Sequence, residues 1–550
     1  MDKRPGHIYF LIILISIGGS LPFLTQPYAI DDPFTIRVGA AILSDPLRPY
    51  LQDSFWFDQP GILFDEFKNP PLVGYLGALV LYLFGDEELY FHLMFLPFFI
   101  LSVLAFYELA RKIIENALTA TVIFLMTPAV LIQAHHVMPD IMCLSFYLVG
   151  LTLLQSGLER DKIYPFLLAG VAGGLSGLSK YSGCLWIVTA GLFIICGPRQ
   201  PRSKKYLLSL MMVVLINSVW IIGSYIQYHR LHCLEVLLNF HYDWASFLEK
   251  ILVILIHVGG NLLFLMVHQF VHKGLPRIST LFLVLFTTSI FLHQFWYLPL
   301  MSLFFGVIFL VAGLTFFLEY CFSAAVFLDI RHWEKGIHWH RITKDNIQVF
   351  LLLWLISGLS GTIFLTPFIA SRYLILWIPA LILLIIYQGE KKRGSRKKFN
   401  KRWLKISAAG MVILGLTTSL SDYYFSKAYK NLAQKINHDF HCTELYFVGH
   451  WGFQFYMEQH GFKALDPSKK LAAHAYLARP FQGAQQPLSE SILANSRTTR
   501  WFRISPPCPL HLMDRYLGAG FYIHYDRPLP WVIGEGNPHD IEIRQFFGAP

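Results

Sequence analysis

The stretch from Ile8 to Pro33 reads IYFLIILISIGGSLPFLTQPYAIDDP. Up to Leu24 it is almost wholly apolar. About 20 apolar residues cross the roughly 30 Å of hydrocarbon in a bilayer, and backbone amides that meet no water must pair within a helix. Lys3 and Arg4 precede the run. No small-x-small cleavage site follows it, so it reads as an uncleaved first helix with its N-terminus inside. That span delivers two adjacent carboxylates, Asp31 and Asp32, to the outer face.

The pattern recurs along the chain. Of 550 residues, 55% are hydrophobic and 15% charged, against about 25% charged in soluble proteins. The expected fold is an all-α polytopic membrane protein. Thirteen apolar segments are placed near 8–27, 92–110, 117–134, 139–157, 163–179, 182–197, 206–226, 251–270, 278–294, 296–318, 347–366, 372–388 and 403–420. The run 71–84 is too short to span and reads as a helix on the outer surface. With this layout the inner segments hold 25 Lys or Arg, and the outer loops before residue 421 hold seven. Making 71–84 a full span inverts every later loop and puts the Lys391–Lys405 cluster outside, against the positive-inside rule.

Two domains follow. Residues 1–420 form the membrane domain, whose first outer loop, 28–91, is acidic, with ten Asp or Glu against three Lys or Arg. Residues 421–550 are expected to form a small extracytoplasmic α/β domain, with strand-like runs at Leu445–Val448 and Phe521–His524. The net charge of +10 comes from short inner loops. It does not point to nucleic acid, and neither zinc-ligand spacing nor a nucleotide-binding glycine loop is present. Five of the seven cysteines lie in or beside apolar segments. Cys442 and Cys508, in the polar C-terminal part, are able to pair only if it faces an oxidising compartment.

Ionisable residues at the outer ends of apolar runs are the candidates for chemistry, since a charge at the membrane edge is costly unless used. Asp31 and Asp32 suit general-base or metal work; the plainer reading is a solvated loop end capping a helix that starts at Pro33. Lys68 and Asn69 stand just before Pro70-Pro71, at a loop-to-helix junction. His135, His136 and Asp140 share a short outer turn. They leave a divalent metal possible, although adjacent histidines splay their rings. Lys180 interrupts an apolar run of over thirty residues, placed either to neutralise a phosphate or to snorkel. Tyr181 follows it. Arg372 and Tyr373 open the twelfth segment, and an arginine there suits phosphate oxygens. All these groups fall on one side of the membrane.

In this order, Asp31-Asp32, Asn69-Pro70-Pro71-Leu72, Met138-Pro139-Asp140, Leu178-Ser179-Lys180-Tyr181 and Arg372-Tyr373 resemble the GT-C superfamily of membrane glycosyltransferases. The closest resemblance is to the protein O-mannosyltransferase branch (glycosyltransferase family 39) and the lipid A aminoarabinose transferase branch, over roughly residues 8–390. The resemblance implies transfer of a sugar from a polyprenyl-phosphate-linked donor to a protein, glycan or lipid acceptor, with inversion at the anomeric carbon, and names no certain cofactor. It implies catalytic roles for Asp31, as general base, and for Asp32 and Asp140. Substrate-binding roles fall to Lys68, Asn69, His136, Lys180, Tyr181, Arg372 and Tyr373, with Lys180 and Arg372 toward the lipid phosphate. Two departures leave the acceptor and any metal open: Asn69 stands where many relatives have Lys or His, and Asp32 where they usually have Glu.

Two rival functions remain at this point. A polysaccharide polymerase or ligase also uses lipid-linked sugars, but favours several Arg and His in one large outer loop. A transporter predicts internal repeats and midplane polar residues, and neither is evident. The expected location is a bacterial inner membrane, with the site and the C-terminal domain extracytoplasmic.

Overall fold

Among the described residues seven helices are long and apolar enough to cross a membrane, and an eighth span is counted if one bent pair is taken as a unit. The structure, a computed structural model, describes residues 5–55, 60–196, 203–238, 244–265, 296, 298–327, 346–391, 401–441, 443–466, 472–481, 488–536 and 539–547. The protein is an integral membrane protein. Glu88–Ala110, Pro139–Arg160 and Tyr206–Tyr228 are among the spans.

The count of about thirteen is not reached among the described residues, and the reason is physical. Several expected segments form helices at or below the short end of the roughly 17–25 residues that cross a bilayer. Ile163–Ser179 has 17 residues, Leu185–Cys196 has 12 and Ile378–Lys391 has 14. At about 1.5 Å per residue, 14 residues reach only about 21 Å. Ile378–Ile386 is buried throughout, so its apolar sequence reflects packing against protein. The expected segment 278–294 lies outside the described residues.

Two breaks shape the outer face. Between Ala117–Leu125 and Pro128–His135 the axis bends by 62°. Thr127 is extended ahead of Pro128, as a residue before proline prefers. At Lys180 the backbone is again extended, and a short 3-10 turn, Tyr181–Cys184, follows.

The first outer loop carries two helices, Asp32–Ser44 and Leu72–Phe84. The second is the helix expected over 71–84. The pair packs backbone to backbone: a Cβ on Gly77 would sit 2.9 Å from the Thr35 carbonyl oxygen, and one on Gly39 would sit 2.9 Å from the Ala78 nitrogen.

The last helix, Lys401–Phe440, runs 40 residues without a break at 420. At about 60 Å it is far longer than a bilayer, so its second half belongs to the C-terminal region. There a five-stranded mixed sheet forms, in the order 463–464, 445–447, 476–480, 539–546, 496–504. Leu445–Phe447 is a strand, as read from its sequence. Phe521–His524 is not; it follows the short strand Ala519–Gly520 as irregular backbone and enters the membrane domain. Cys508 is a free thiol, and Cys442 lies outside the described residues.

The C-terminal region is docked on the first outer loop. Arg37 pairs with Glu458 at 2.6 Å. Tyr456 accepts a hydrogen bond from the Tyr28 amide at 2.8 Å and donates to Glu88. The close helix pair gives a test. Gly77→Val forces a branched side chain against the Thr35 backbone, and overpacking of this kind costs about 1–3 kcal/mol. The expected result is a lower thermal midpoint in detergent, with Gly18→Val, which meets nothing within 4 Å, unchanged.

Candidate functional site

A cavity of 590 Å³ opens where the first outer loop, the Lys180 break and the Ser371–Leu374 turn meet. Asp31, Lys68, Asn69, Asp140, Lys180, Tyr181, Arg372 and Tyr373 all line it. Residues separated by more than 300 positions in the chain thus share one wall. The rest of the lining is largely apolar, including Phe34, Leu185, Ile221 and Trp377.

The charges are paired across the cavity. Arg372 Nη2 lies 2.7 Å from Asp31 Oδ2, and Lys180 Nζ lies 2.6 Å from Asp140 Oδ1. The Tyr373 ring stands beside both cations, 4.8 Å from Lys180 Nζ and 5.4 Å from the Arg372 guanidinium carbon; such contacts add electrostatic attraction to the ring face. Lys68 differs. Among the described residues no hydrogen bond or ion pair engages its ammonium, and burial pulls its pKa below the usual lysine value. It is a cation available for an anion.

Tyr181 is fixed in orientation. Its hydroxyl accepts from Trp220 Nε1 at 2.8 Å and meets His232 Nδ1 at 2.6 Å. Burial pushes the His232 pKa down to about 4. The ring is therefore neutral, and Nε2, 2.8 Å from the Phe67 carbonyl oxygen, must donate there. Nδ1 is left to accept the Tyr181 proton. Asn69 acts through its backbone, its carbonyl accepting from Tyr50 Oη at 2.7 Å.

Asp32 and His136 are placed elsewhere than the cavity wall. Both are fully buried. Asp32 Oδ2 accepts from the Ala29 amide at 2.9 Å and from His136 Nδ1 at 2.9 Å, and Oδ1 accepts from the Val137 amide at 2.7 Å. The other imidazole nitrogen lies 2.8 Å from Asp422 Oδ2. Gln26 Nε2 donates to the same carboxylate at 2.8 Å, and Tyr522 Oη donates to its Oδ1 at 2.7 Å. Burial opposes a charge on His136, but the two carboxylates outweigh it and push its pKa up to about 10.

This network holds the turn that presents Asp31. The Asp32 amide bonds the Ala29 carbonyl at 3.0 Å, and Ile30 between them has φ of 50°. A β-branched residue in that region is strained and persists only where its surroundings fix it. Asp31 precedes the Asp32–Ser44 helix, but its side chain makes no capping bond, which leaves it to Arg372. The capping reading therefore holds for position and not for the side chain.

The metal left open by the sequence finds no donor set. Among the described residues no group of three His, Cys, Asp or Glu side chains is disposed to hold an ion. His136 lies between two carboxylates, His135 packs on Phe23 with ring centres 4.5 Å apart, and Asp140 binds Lys180.

Asp422, Tyr522, Trp220 and His232 were not singled out from sequence. Asp422 carried a signal, a carboxylate at the outer end of an apolar helix. Tyr522 carried none.

Residues 68–222 match the family described as Dolichyl-phosphate-mannose-protein mannosyltransferase. That range includes Lys68, Asn69, His136, Asp140, Lys180 and Tyr181, and the chain resembles this family as its motifs indicated. An uncharacterized protein of Aquifex aeolicus (strain VF5) is 28% identical over 182 residues, which are 31% of this chain and 36% of that protein. The alignment thus spans about a third of that relative's length. Two solved structures align more loosely. The oligosaccharyltransferase AglB of Archaeoglobus fulgidus, in complex with an inhibitory peptide and a dolichol-phosphate, is 13% identical, covering 86% of this chain and 69% of that one with a TM-score of 0.48. ArnT of Cupriavidus metallidurans, bound to undecaprenyl phosphate, is 11% identical, covering 86% and 93% with a TM-score of 0.40. Likeness at this level assigns neither fold nor function.

The buried network predicts two results. His136→Ala leaves two carboxylates facing each other without the cation. Loss of one partner from a buried ion pair costs about 3–5 kcal/mol, to be read as a lower unfolding midpoint in detergent. The pH dependence follows from the raised pKa. A histidine whose folded pKa exceeds its unfolded value of about 6.5 gives its full stabilisation below that value and loses it as pH rises through about 10. Wild-type stability should therefore fall more steeply than that of His136→Ala between neutral pH and pH 10.

Proposed function

We propose that the protein is a glycosyltransferase of the GT-C type, moving a sugar from a polyprenyl-phosphate donor to a hydroxyl or amine on a protein, glycan or lipid acceptor at the extracytoplasmic face. The observation that carries this reading is the Asp31–Arg372 pair in the wall of an apolar-lined cavity. A carboxylate and an anion-binding cation stand side by side there, with Lys180 and the unengaged Lys68 in the same wall.

The pairing gives the chemistry an order. In the structure Asp31 is held by Arg372. A donor phosphate competes for that guanidinium, which binds phosphate oxygens through parallel hydrogen bonds, and Lys180 and Lys68 add charge. Asp31 is thereby released to accept a proton. The acceptor O–H or N–H loses its proton to the Asp31 carboxylate and attacks the anomeric carbon. The bond from that carbon to the phosphate oxygen breaks, and its electron pair leaves with the polyprenyl phosphate. One displacement inverts the anomeric centre. Asp140 keeps Lys180 in place, and Tyr181 and Tyr373 offer ring faces to the sugar. The apolar lining suits the first isoprene units.

The test uses purified protein in lipid with labelled polyprenyl-phosphate sugars and a membrane extract as acceptor source. Wild type is expected to transfer label. Asp31→Asn is expected to lose about 10²–10⁴-fold in kcat, the range for a missing general base. Arg372→Ala is expected chiefly to raise the KM for donor. Absence of transfer across a broad donor panel, with protein-dependent solute movement into vesicles, would replace this reading with a transporter.

A further inference from the structure

The Asp31–Arg372 pair joins two segments, and the residue next to each is held by the same four-residue strip of the C-terminal region. On the Arg372 side, the Ser371 amide donates to the Phe521 carbonyl oxygen at 2.8 Å, and the Ile369 amide bonds His524 Nδ1 at 2.9 Å. On the Asp31 side, Tyr522 bonds Asp422, which pairs with His136, which pairs with Asp32. Tyr522 Oη also lies 2.5 Å from His136 Nε2. Tyr522, His136, Asp32 and Asp422 are buried, and the chain of contacts ends on the strained turn at Ile30.

We infer that Phe521–His524 is a clamp through which the C-terminal region sets the site, with Tyr522 a positioning residue for Asp31. The inference rests on the sugar-transfer reading only for what the positioned carboxylate does. Tyr522 does not line the cavity. Its hydroxyl orients the Asp422 carboxylate, so that Oδ2 meets the imidazole while Oδ1 is occupied. The oriented imidazolium orients Asp32, whose two oxygens then hold the Ala29 and Val137 amides. With both amides engaged, Ile30 stays at positive φ and Asp31 faces Arg372. Loss of one hydroxyl at the far end loosens the turn without touching substrate.

The test compares wild type, Tyr522→Phe and Tyr516→Phe in lipid nanodiscs. Tyr516 is 60% exposed and serves as the control. Two readouts are taken: donor-dependent transfer, and amide hydrogen exchange in peptides covering Ala29 and Val137. Tyr522→Phe is expected to lower kcat about 10- to 100-fold, the cost of a small misplacement of a catalytic group. The donor KM should stay within about twofold. Exchange at Ala29 and Val137 should quicken, while Ser371, held by the unchanged Phe521 carbonyl, should not. Wild-type kcat and wild-type exchange in Tyr522→Phe overturn the clamp and leave sugar transfer standing. A lower kcat with unchanged exchange at both amides overturns it as well. If wild type transfers no sugar from any donor but exchange at Ala29 and Val137 still responds to Tyr522→Phe, the clamp stands and the sugar-transfer reading falls. Should Tyr522→Phe fail to fold, Asp422→Asn is read by the same criteria.

Discussion

An imidazole held between two buried carboxylates ties this protein together. Three ionisable side chains without water are costly unless each is satisfied. Here each is satisfied by a different part of the chain. Asp32 comes from the first outer loop, His136 from the turn after the bent helix, and Asp422 from the last helix, with Gln26 and Tyr522 completing the hydrogen bonds. Removing any one segment strands charge in the others. The network therefore specifies a single mutual arrangement of segments that are remote in sequence, and apolar packing between helices discriminates such arrangements less sharply.

The arrangement explains why neighbouring aspartates behave differently. Asp32 faces inward and is consumed by structure. Asp31 faces the cavity and meets one partner, a guanidinium that an anion is able to claim. Adjacent residues in a tight turn point apart, so a pair of carboxylates that reads as a unit in the sequence is divided by the backbone between scaffold and site. The positive φ at Ile30 belongs to that division: it turns the chain sharply enough to send one carboxylate each way.

Much of this was legible in the sequence, for one physical reason. Lipid penalises charge so heavily that Lys180, Asp140 and Arg372 stand out at the edges of apolar runs, and the structure gathers them in one wall with Asp31, Lys68, Asn69, Tyr181 and Tyr373. Partnership was not legible. Asp140 with Lys180 and Asp31 with Arg372 are pairings across 40 and 341 positions in the sequence, and composition at each position says nothing of the other. The expected count of spans is not reached among the described residues, in part for a related reason. Ile378–Lys391 is apolar because protein surrounds it, and hydropathy does not distinguish a protein neighbour from a lipid one. The strand reading of Phe521–His524 failed because this stretch bonds the membrane domain, through Tyr522, the Phe521 carbonyl and His524, and pairs with no strand among the described residues.

The C-terminal region gains a role from this geometry. A domain that merely sat outside the membrane would touch the first loop at its rim, as Arg37 and Glu458 do, and exposed pairs of that kind contribute little. Tyr522 instead enters to the fully buried network. The same strip holds the backbone beside Arg372, so both halves of this cavity-wall ion pair are referred to one segment. Two charges that must separate when an anion arrives, and meet again when it leaves, need a fixed frame on each side. Otherwise the approach of the anion would move the loops instead of breaking the pair. A clamp spanning both sides, as inferred above, would convert anion binding into release of the carboxylate, which is the event that the proposed chemistry requires.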